Sequence, residues 1–436
     1  MSKAAVIGGG ISGIAAAFYL QQYGVDVDLY ESGDRIGGRI GSGCTGGRWF
    51  DFGGKNIGRK YRGFREFVTE IGGLDFEYFG FNTSQVINGR VVRLNKEKQR
   101  LFNILRVLSL AGFGGTLKLL PLLQAVHKDY GQGFLNTSYF NAIADRFDKE
   151  SLASFFPKSC ADHLVRPLTV RMNGAEPDEC FPGNFGSNLA LVLDSYEQLQ
   201  QGMQGMLDRF QAYAQSVQLL TRHHVRALGR SNGKIVLDYT HDEKSARAEY
   251  SKVIVALPAV QASALFSGTL PGLAKLLGQV RYYPVAVAIV QYREDVFSSM
   301  QRAMVFDRST SLSNAGAYGI HDLDIVRYTF SGKTARSGIT QEMAPEEVVS
   351  LGEKIIEPYF NIRKNNRRFF LYKYITPGLC AYSPFHYRML EELNELVKPV
   401  KGLFLTGDYR RGASLEACFR AASETVDLAI QGDTAV

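Results

Sequence analysis

The sequence has little of what disulfide frameworks and metal centres require. Its 436 residues include only five cysteines and seven histidines. The cysteines are odd in number, and no two form a CxxC pair. This scatter argues against a disulfide scaffold and against structural zinc, and we predict no metal site. The five are Cys44, Cys160, Cys180, Cys380 and Cys418.

We also predict no leader segment. The first apolar segment, residues 4–8, starts so close to Met1 that a charged leader, an apolar core and a cleavage site do not fit before it. Unpaired cysteines are typical of reducing compartments. We therefore expect a cytoplasmic protein.

No hydrophobic run is long and uninterrupted enough to predict a membrane span. Residues 101–126 are strongly apolar, but Arg106, Lys118 and Pro121 interrupt them. The longest charge-free run, 107–117, is shorter than the ~20 residues that cross a bilayer. Two interpretations stay open for 101–126: helices buried in a lobe, or a peripheral contact with a membrane surface.

Charge of one sign does not dominate. Fifty lysines and arginines stand against 43 acidic residues, a formal charge of +7, and the two signs are interleaved along the chain. The densest basic cluster, Arg363, Lys364, Arg367 and Arg368, is short and indicates a solvated loop. We predict no nucleic-acid partner. The length and the 45% of hydrophobic residues indicate a folded protein of two or three lobes.

What the sequence does contain is a strand, a glycine-rich turn and a helix at its start. The apolar run 4–7 lacks polar alternation, as expected of a parallel strand buried on both faces. Gly8, Gly10 and Gly13 follow as GxGxxG, and Ile11 and Ser12 open the helix. In this context the glycines allow a tight turn, close approach to a pyrophosphate, and close helix packing. The motif predicts a dinucleotide site at the helix N-terminus.

Glu31 stands at the end of the second predicted strand, where a carboxylate accepts hydrogen bonds from adenosine ribose hydroxyls. A 2′-phosphate would meet its negative charge, so FAD or NAD is favoured over NADP. The next residues, Arg35, Gly37, Gly38 and Arg39, complete the pattern ExxxRxGGR. Two guanidinium groups and two glycines add cationic donors and close backbone beside a diphosphate.

This pattern resembles the flavoprotein family that contains monoamine and polyamine oxidases, protoporphyrinogen oxidase and phytoene desaturase. The resemblance implies an α/β fold with a Rossmann-like FAD-binding domain, and three separated strand-to-glycine units indicate that it is built from discontinuous segments. A mixed α+β substrate domain with a helical insert would fill the rest. We predict an FAD-binding domain from 1–75, 196–270 and 395–436, and a substrate domain from 76–195 and 271–394.

The resemblance also implies further cofactor contacts. One segment would pass beside the ribityl chain and flavin ring, a main-chain position would meet the adenine, and a carboxy-terminal motif would bind the ribityl or phosphate region. After this motif a helix N-terminus would point toward the pyrimidine edge and stabilise negative charge on reduced flavin. These residues are, in turn, Phe52, Gly53 and Gly54; Val225; Gly407 and Asp408; and Ser414, Leu415 and Ala417.

The substrate side carries weaker signals. Tyr372, Tyr374 and Tyr382 precede the carboxy-terminal motif, where relatives place aromatic residues facing the flavin, and they are our candidate catalytic residues. The alternation through the first two equally suits the core face of a strand. Cys380 lies near the covalent attachment site of some monoamine oxidases, but its neighbours differ. We therefore expect FAD to be bound noncovalently.

The sequence departs from many amine oxidases on one strand. Those enzymes carry a lysine that reaches a water near flavin N5, whereas residues 284–292 contain none. This departure favours the protoporphyrinogen oxidase and desaturase side of the family.

Three functions stay open. The favoured one is an FAD-dependent oxidoreductase that transfers a hydride equivalent from a small-molecule substrate, from a C–N bond, to flavin N5 and then to oxygen or another acceptor. The alternative is a C–C desaturase or isomerase acting on an apolar substrate. A noncatalytic FAD-binding protein is the third, and a homodimer is compatible with each.

Overall fold

Five parallel strands from distant parts of the chain form the sheet of the first lobe. The computed structural model describes residues 3–78, 80, 82–96, 99–360, 362 and 366–434, so Arg363 and Lys364 of the predicted basic loop lie outside the described residues. All neighbouring strands pair in parallel, as expected of an α/β fold. In spatial order the strands are Val217–Leu220, Val27–Tyr30, Ala4–Ile7, Lys252–Val255 and Leu403–Leu405.

Helices cover one face of this sheet, and the antiparallel meander together with helices covers the other, which explains why its central strands are almost entirely apolar. Every residue of Ala4–Ile7 and Val27–Tyr30 is buried. An antiparallel meander and two smaller sheets complete the lobe. The helices of this lobe are Ile11–Gln22, Arg62–Glu70, Gly202–Tyr213, Ala259–Phe266, Pro271–Leu277, His386–Val397, Asp408–Arg411 and Leu415–Thr434. The meander consists of strands His223–Ser231, Lys234–His241 and Lys244–Tyr250. One smaller sheet pairs Ser42–Thr45 with Arg48–Asp51, and the other contains Ile57–Gly58, Tyr196–Leu199 and Phe76–Tyr78.

The second lobe is a seven-stranded mixed sheet with helices. One pair of strands is parallel and the others are antiparallel. The strands, in spatial order, are Arg367–Ala381, Arg281–Tyr292, Ile325–Phe330, Leu312–Ala317, Ala303–Val305, Thr83–Ile87 and Arg90–Arg93. Helices Lys333–Gly338 and Pro345–Ile356 accompany the sheet, and the helical insert contains Arg100–Lys128, Ser138–Phe147, Leu152–Phe155, Lys158–Cys160, Arg166–Asn173 and Gly186–Val192.

Two of the predicted domain boundaries are wrong. Helices Pro271–Leu277 and His386–Val397 were assigned to the substrate domain, the second only up to residue 394. Both instead pack into the core that contains Ala5, Val253 and Leu405 of the parallel sheet. Both helices are amphipathic, and an apolar helix face can pack on the sheet of either lobe. The sequence pattern alone therefore does not indicate which lobe each helix joins.

The long apolar helix Arg100–Lys128 packs against other helices of the insert, among them Lys158–Cys160 and Gly186–Val192. By length and composition alone it is apolar enough to cross a membrane, and only 22% of its most apolar 18-residue stretch is buried. Gly112, with φ 65° and ψ 178°, interrupts the helical backbone, and Pro121 lies inside the helix. Ala111, Gly115 and Leu122 contribute to its buried side, while much of the rest faces outward.

Candidate functional site

The glycine turn is built for close backbone approach. Gly8 has φ +108°, which favours glycine, and its N–H donates to the Tyr30 carbonyl oxygen at 2.8 Å. A Cβ on Gly13 would lie 1.8 Å from the Gly8 carbonyl oxygen, so the helix packs on the turn only because Gly13 has no side chain. A Cβ on Gly10 would meet nothing within 4 Å. The open space at Gly10 is therefore where a diphosphate has room to approach the N–H groups of Ile11 and Ser12.

Glu31 is held against this turn. Its carboxylate accepts hydrogen bonds from the Gly9 N–H at 2.9 Å and the Gly33 N–H at 2.7 Å. The Glu31 carbonyl oxygen accepts from the His223 N–H at 2.9 Å, which docks the meander strand carrying Val225 beside it. Val225 itself is buried, next to an irregularity in the strand pairing. The predicted ribose and adenine positions thus lie next to each other.

The Gly37–Gly38 pair folds over the turn that contains Gly8 and Gly10. Gly37 donates from its N–H to the Gly9 carbonyl oxygen at 2.8 Å and adopts φ +117°. A Cβ on Gly38 would lie 3.1 Å from the Gly10 Cα. Arg35 donates to the Ser42 carbonyl oxygen at 3.3 Å. The two sequence motifs therefore form one cradle of backbone amides.

The cradle is tied to the carboxy-terminal motif by one ion pair. Arg39 Nη1 lies 2.7 Å from Asp408 Oδ2, and the same nitrogen donates to the Gly378 carbonyl oxygen at 2.9 Å. The Asp408 side chain is only 3% exposed, and Tyr282 donates its hydroxyl to Oδ1 at 2.7 Å. Gly407 precedes it with φ +153°. Two motifs from opposite ends of the chain thus meet at one place.

The last helix begins at the same place. Ser414 Oγ accepts from the Ala417 N–H at 3.1 Å, which caps the helix that starts at buried Leu415. Glu416 accepts from the N–H groups of Gly63 and Phe64 at 3.2 and 3.1 Å, and burial raises the pKa of its carboxyl. A cleft opens in front of this helix start, lined among others by Tyr61, Tyr130, Met172, Ser187, Gly412, Ala413 and Ser414.

Phe52, Gly53 and Gly54 lie between the cradle and the seven-stranded sheet. A Cβ on Gly53 would lie 2.0 Å from the Arg39 carbonyl oxygen, and one on Gly54 would meet nothing within 4 Å. Arg327 Nη2 donates to the Phe52 carbonyl oxygen at 2.6 Å. The Phe52 side chain packs in a cluster with strand residues of that sheet. This segment therefore lines the junction of the two lobes.

The candidate tyrosines separate into two places. On strand Arg367–Ala381, Tyr372 pairs with Ala288 and Tyr374 with Ala286, whereas Leu371 pairs with Ile289. Tyr372 and Tyr374 pack into the core that contains Tyr328 and Val348, and Leu371 packs with Phe52. Because neighbouring strand residues face opposite sides, the two tyrosines do not face the Phe52 segment, and this part of the prediction is wrong.

Tyr382 has a different position. It is buried, and its hydroxyl donates to the Asp408 carbonyl oxygen at 3.2 Å. The neighbouring Cys380 is fully buried, and burial raises the pKa of its thiol well above the usual value. Tyr382 therefore supports the Asp408 motif from behind.

Sequence reasoning missed three cations at the lobe junction. Lys55 directly follows the Phe52–Gly54 segment, which was a readable signal, but Arg171 and Arg327 come from distant elements with no motif. Lys55 is 6% exposed and donates to Gln198 Oε1 and to the Tyr318 carbonyl oxygen, both at 2.5 Å. No glycine pattern or strand end marks the two arginines, so only the fold identifies them.

The pKa of Lys55 is lowered to about 7, chiefly by burial and in addition by the charges of Arg327 and Arg171. Asp51 and Asp322 act in the opposite direction. Burial also lowers the pKa of Arg327 to about 10, again with a contribution from Arg171. Burial at this junction thus disfavours the protonated form of Lys55.

We expect Lys55→Met to remove a pH dependence of stability. An unfolded Lys55 binds a proton up to pH ~10.4, whereas the folded one releases it near 7, so Lys55 costs stability that is recovered as the pH rises. Relative to the variant, the free energy of unfolding of the unaltered chain should increase by about 2 kcal/mol from pH 7 to 9. Urea denaturation at both pH values measures this, and equal differences at the two pH values would contradict it.

Comparison with known proteins agrees with this geometry. The model of the family described as flavin containing amine oxidoreductase matches residues 11–430. Protoporphyrinogen oxidase 2 of Arabidopsis thaliana is 24% identical over 183 residues, which cover 40% of this chain and 33% of that relative. The matched part thus spans about a third of this curated relative's length.

Solved structures share the whole fold. The structure of a putative protoporphyrinogen oxidase from Exiguobacterium sp. 255-15 has a TM-score of 0.73 at 16% identity, and that of cyclohexylamine oxidase from Brevibacterium oxydans IH-35A has a TM-score of 0.75 at 19% identity. In both, the alignment covers 99% of each chain. At these identities the likeness shows the fold.

Proposed function

The chain belongs to the family of flavin containing amine oxidoreductases, a family of flavin-dependent oxidoreductases, and from this premise we propose that it binds one FAD noncovalently and oxidises a small-molecule substrate. The observation that carries the proposal is the Arg39–Asp408 ion pair, at 2.7 Å. It joins the amino-terminal diphosphate cradle to the start of the last helix. Those are the two ends that an extended dinucleotide must contact.

The residues at the site fit FAD. The open space at Gly10 would take the diphosphate, Glu31 the ribose, and the N-terminus of helix Leu415–Thr434 the pyrimidine edge. Noncovalent binding is supported by Cys380, which is buried and whose raised pKa keeps it a thiol rather than a nucleophilic thiolate.

When bound, FAD supplies the two-electron redox chemistry. The protein's contribution is orientation, exclusion of water and electrostatics. Phe50, Phe52, Val287 and Ile289 form an apolar wall at the lobe junction, and the helix start at Ser414 favours negative charge at its N-terminus. We favour a C–N bond as the one oxidised, because a buried neutral amine assists hydride loss with its lone pair and needs no separate base.

One observation favours a second candidate, a C–C desaturase or isomerase acting on an apolar substrate. Strand Arg281–Tyr292 carries no lysine, and its residues on the Phe52 side, Val285, Val287 and Ile289, are apolar and buried. The relatives and similar structures include proteins named for protoporphyrinogen as well as for amines.

Anaerobic reduction followed by exposure to air separates these candidates. The purified holoprotein is mixed with a panel of primary and secondary amines while the flavin absorbance is followed. Bleaching by an amine and recovery in air within seconds support C–N oxidation. Reduced flavin that is stable in air and turns over with a quinone supports the second candidate. A flavin that neither substrates nor dithionite reduce would contradict both.

We also propose that the long apolar helix Arg100–Lys128 contacts an anionic membrane surface peripherally. Its outward side exposes large apolar residues, Leu101 (70%), Leu105 (57%), Phe113 (84%) and Leu117 (59%). The helix contains Arg100, Arg106, Lys118 and Lys128 and no acidic residue. Apolar side chains flanked by cations match a lipid interface with acidic headgroups. A second copy of the chain would bring the same cations face to face, which disfavours a dimer through this surface.

We expect the chain to float with vesicles of phosphatidylglycerol and phosphatidylcholine. The double variant Phe113→Gln/Leu105→Gln should bind these vesicles at least tenfold more weakly, because each apolar side chain that becomes buried contributes about 1.5–3 kcal/mol. Leu428→Gln, also at an exposed leucine (57%) but on the last helix, is the control. Absence of flotation, or a dimer in gel filtration that the double variant dissociates, would contradict the proposal.

We also propose a reducing, cytoplasmic location, which the five free cysteines support.

A further inference from the structure

Strand Arg281–Tyr292 of the second lobe contributes to both halves of the site. Its residues Val287 and Ile289 belong to the apolar wall at the lobe junction. Tyr282, near the start of the strand, instead packs against the core of the first lobe. There its hydroxyl donates to Asp408 Oδ1 at 2.7 Å. One strand therefore connects the wall that would hold the substrate with the carboxy-terminal motif of the cofactor site.

The Tyr282 hydroxyl is fixed by a second element of the first lobe. It accepts a hydrogen bond from the Ala259 N–H at 3.0 Å, and Ala259 begins the helix that follows parallel strand Lys252–Val255. A phenolic hydroxyl has a single hydrogen to donate. With the Ala259 N–H on its lone pair, that hydrogen points to the carboxylate of Asp408. The orientation of the hydroxyl is therefore set by the fold.

The two oxygens of the Asp408 carboxylate have different partners. Oδ1 accepts from Tyr282, whereas Oδ2 lies 2.7 Å from Arg39 Nη1. The guanidinium of Arg39 also lies over the Tyr282 ring, with 5.6 Å between its central carbon and the ring centroid. The Asp408 side chain is 3% exposed and that of Arg39 is 35% exposed. Arg39 is therefore the member of this group that a ligand can reach.

The same sheet also contacts Arg39 directly. The Gly378 carbonyl oxygen accepts from Arg39 Nη1 at 2.9 Å. Gly378 lies in an irregular part of the strand pairing, where residues 376–378 lie opposite the single residue Pro284. Such bulges turn backbone groups away from the regular ladder. A Cβ on Gly378 would lie 2.5 Å from the Tyr283 carbonyl oxygen, so a glycine is required for this geometry.

We propose that Tyr282 is a positioning residue for the cofactor, which acts through Asp408 to aim the Arg39 guanidinium at the flavin half of FAD, the part beyond adenosine monophosphate. The inference rests on the proposed function, because FAD is the ligand of that same site. A hydroxyl that donates to a carboxylate makes a strong, directional contact, and its removal lets the carboxylate and its cation reorient. The second lobe thus completes the FAD site, whereas the first lobe alone binds the adenosine half.

The test compares FAD with adenosine monophosphate (AMP), which contains only the adenosine half. FAD affinity of the apoprotein is measured from the quenching of flavin fluorescence, and AMP affinity from competition with FAD. Tyr282→Phe should weaken FAD binding at least tenfold, because hydrogen bonds to charged groups are among the strongest in proteins. It should change AMP affinity less than twofold. A variant that merely disturbs the fold would lower both affinities.

Tyr283→Phe is the matched control. Tyr283 is the next residue of the strand and also donates its hydroxyl to a carboxylate, Glu179 Oε1 at 3.2 Å. Its ring, however, packs against the core of the helical insert. Tyr283→Phe should therefore leave both affinities within twofold of the unaltered protein. A loss of FAD affinity equal to that of Tyr282→Phe would overturn the proposal.

A double-mutant cycle shows whether Tyr282 acts through Asp408. In an Asp408→Ala background no carboxylate receives the hydroxyl, so Tyr282→Phe should weaken FAD binding less than twofold further. If Asp408→Ala does not fold, Asp408→Asn takes its place, and the effect of Tyr282→Phe should fall below threefold. An undiminished tenfold effect, an equal loss of FAD and AMP affinity, or an unchanged FAD affinity in Tyr282→Phe would each overturn the proposal.

These failures are distinguishable from a failure of the proposed function. An apoprotein that binds neither FAD nor AMP refutes the proposed function. One that binds both, and whose FAD affinity does not respond to Tyr282→Phe, refutes only this inference. If FAD binds but AMP does not compete, the adenosine half has no site of its own, and the inference is overturned while the proposed function stands.

Discussion

Gly10→Ala should give a folded, colourless protein. Gly10 has φ −74° and ψ 178°, which alanine adopts without strain, and its Cβ would meet nothing within 4 Å. The free energy of unfolding of the apoprotein should therefore change by less than about 0.5 kcal/mol. The new methyl group occupies the space that a diphosphate needs, and we expect the FAD affinity to fall at least 100-fold. Flavin content after reconstitution and urea denaturation measure the two effects.

Two further glycines provide the comparison. Gly13→Ala places a Cβ 1.8 Å from the Gly8 carbonyl oxygen, so it should reduce both FAD binding and stability. Gly268→Ala, whose Cβ also meets nothing within 4 Å and which lies away from the cradle, should alter neither. A yellow Gly10→Ala protein with full flavin content would show that the dinucleotide does not approach the backbone here.

The Arg39–Asp408 pair has the largest expected effect on stability. Arg39→Met leaves the carboxylate of Asp408, 3% exposed, with the Tyr282 hydroxyl but without its cation. Losing one partner of a buried ion pair costs about 3–5 kcal/mol. Because the Arg39 side chain is 35% exposed, we expect about 3 kcal/mol, measured by urea denaturation of the apoprotein. FAD affinity should fall as well, because the two halves of the site lose their connection.

A double-mutant cycle isolates the pair. Asp408→Asn in the Arg39→Met background should recover part of the loss, since a neutral amide no longer needs the cation. Arg388→Met is the matched control: it breaks an exposed pair with Asp145, whose side chains are 57% and 48% exposed, and should cost less than about 1 kcal/mol. Equal costs for the buried and exposed pairs would mean that Arg39 does not stabilise Asp408.

The tyrosines show where a sequence pattern stops being informative. Alternation along residues 370–374 correctly indicates a strand with two unlike faces. It contains no information on which face points to the Phe52 segment, because both faces of this strand are covered by protein. Pairing with Ala286 and Ala288 of a distant strand decided that Tyr372 and Tyr374 pack in the core.

What the sequence by itself determined is the local geometry of the dinucleotide cradle. A turn at Gly8, a helix packed on Gly13 and a carboxylate at Glu31 depend on backbone conformation and on neighbours a few residues away, so short motifs specify them. Only the tertiary structure decided what lies opposite the cradle. Arg39 meets Asp408 across 369 positions of sequence, and Arg327 of a distant strand donates to the Phe52 carbonyl oxygen. Such contacts depend on how whole lobes pack. Hydrophobic burial drives this packing without a preferred direction, so no short sequence motif specifies which distant residues meet.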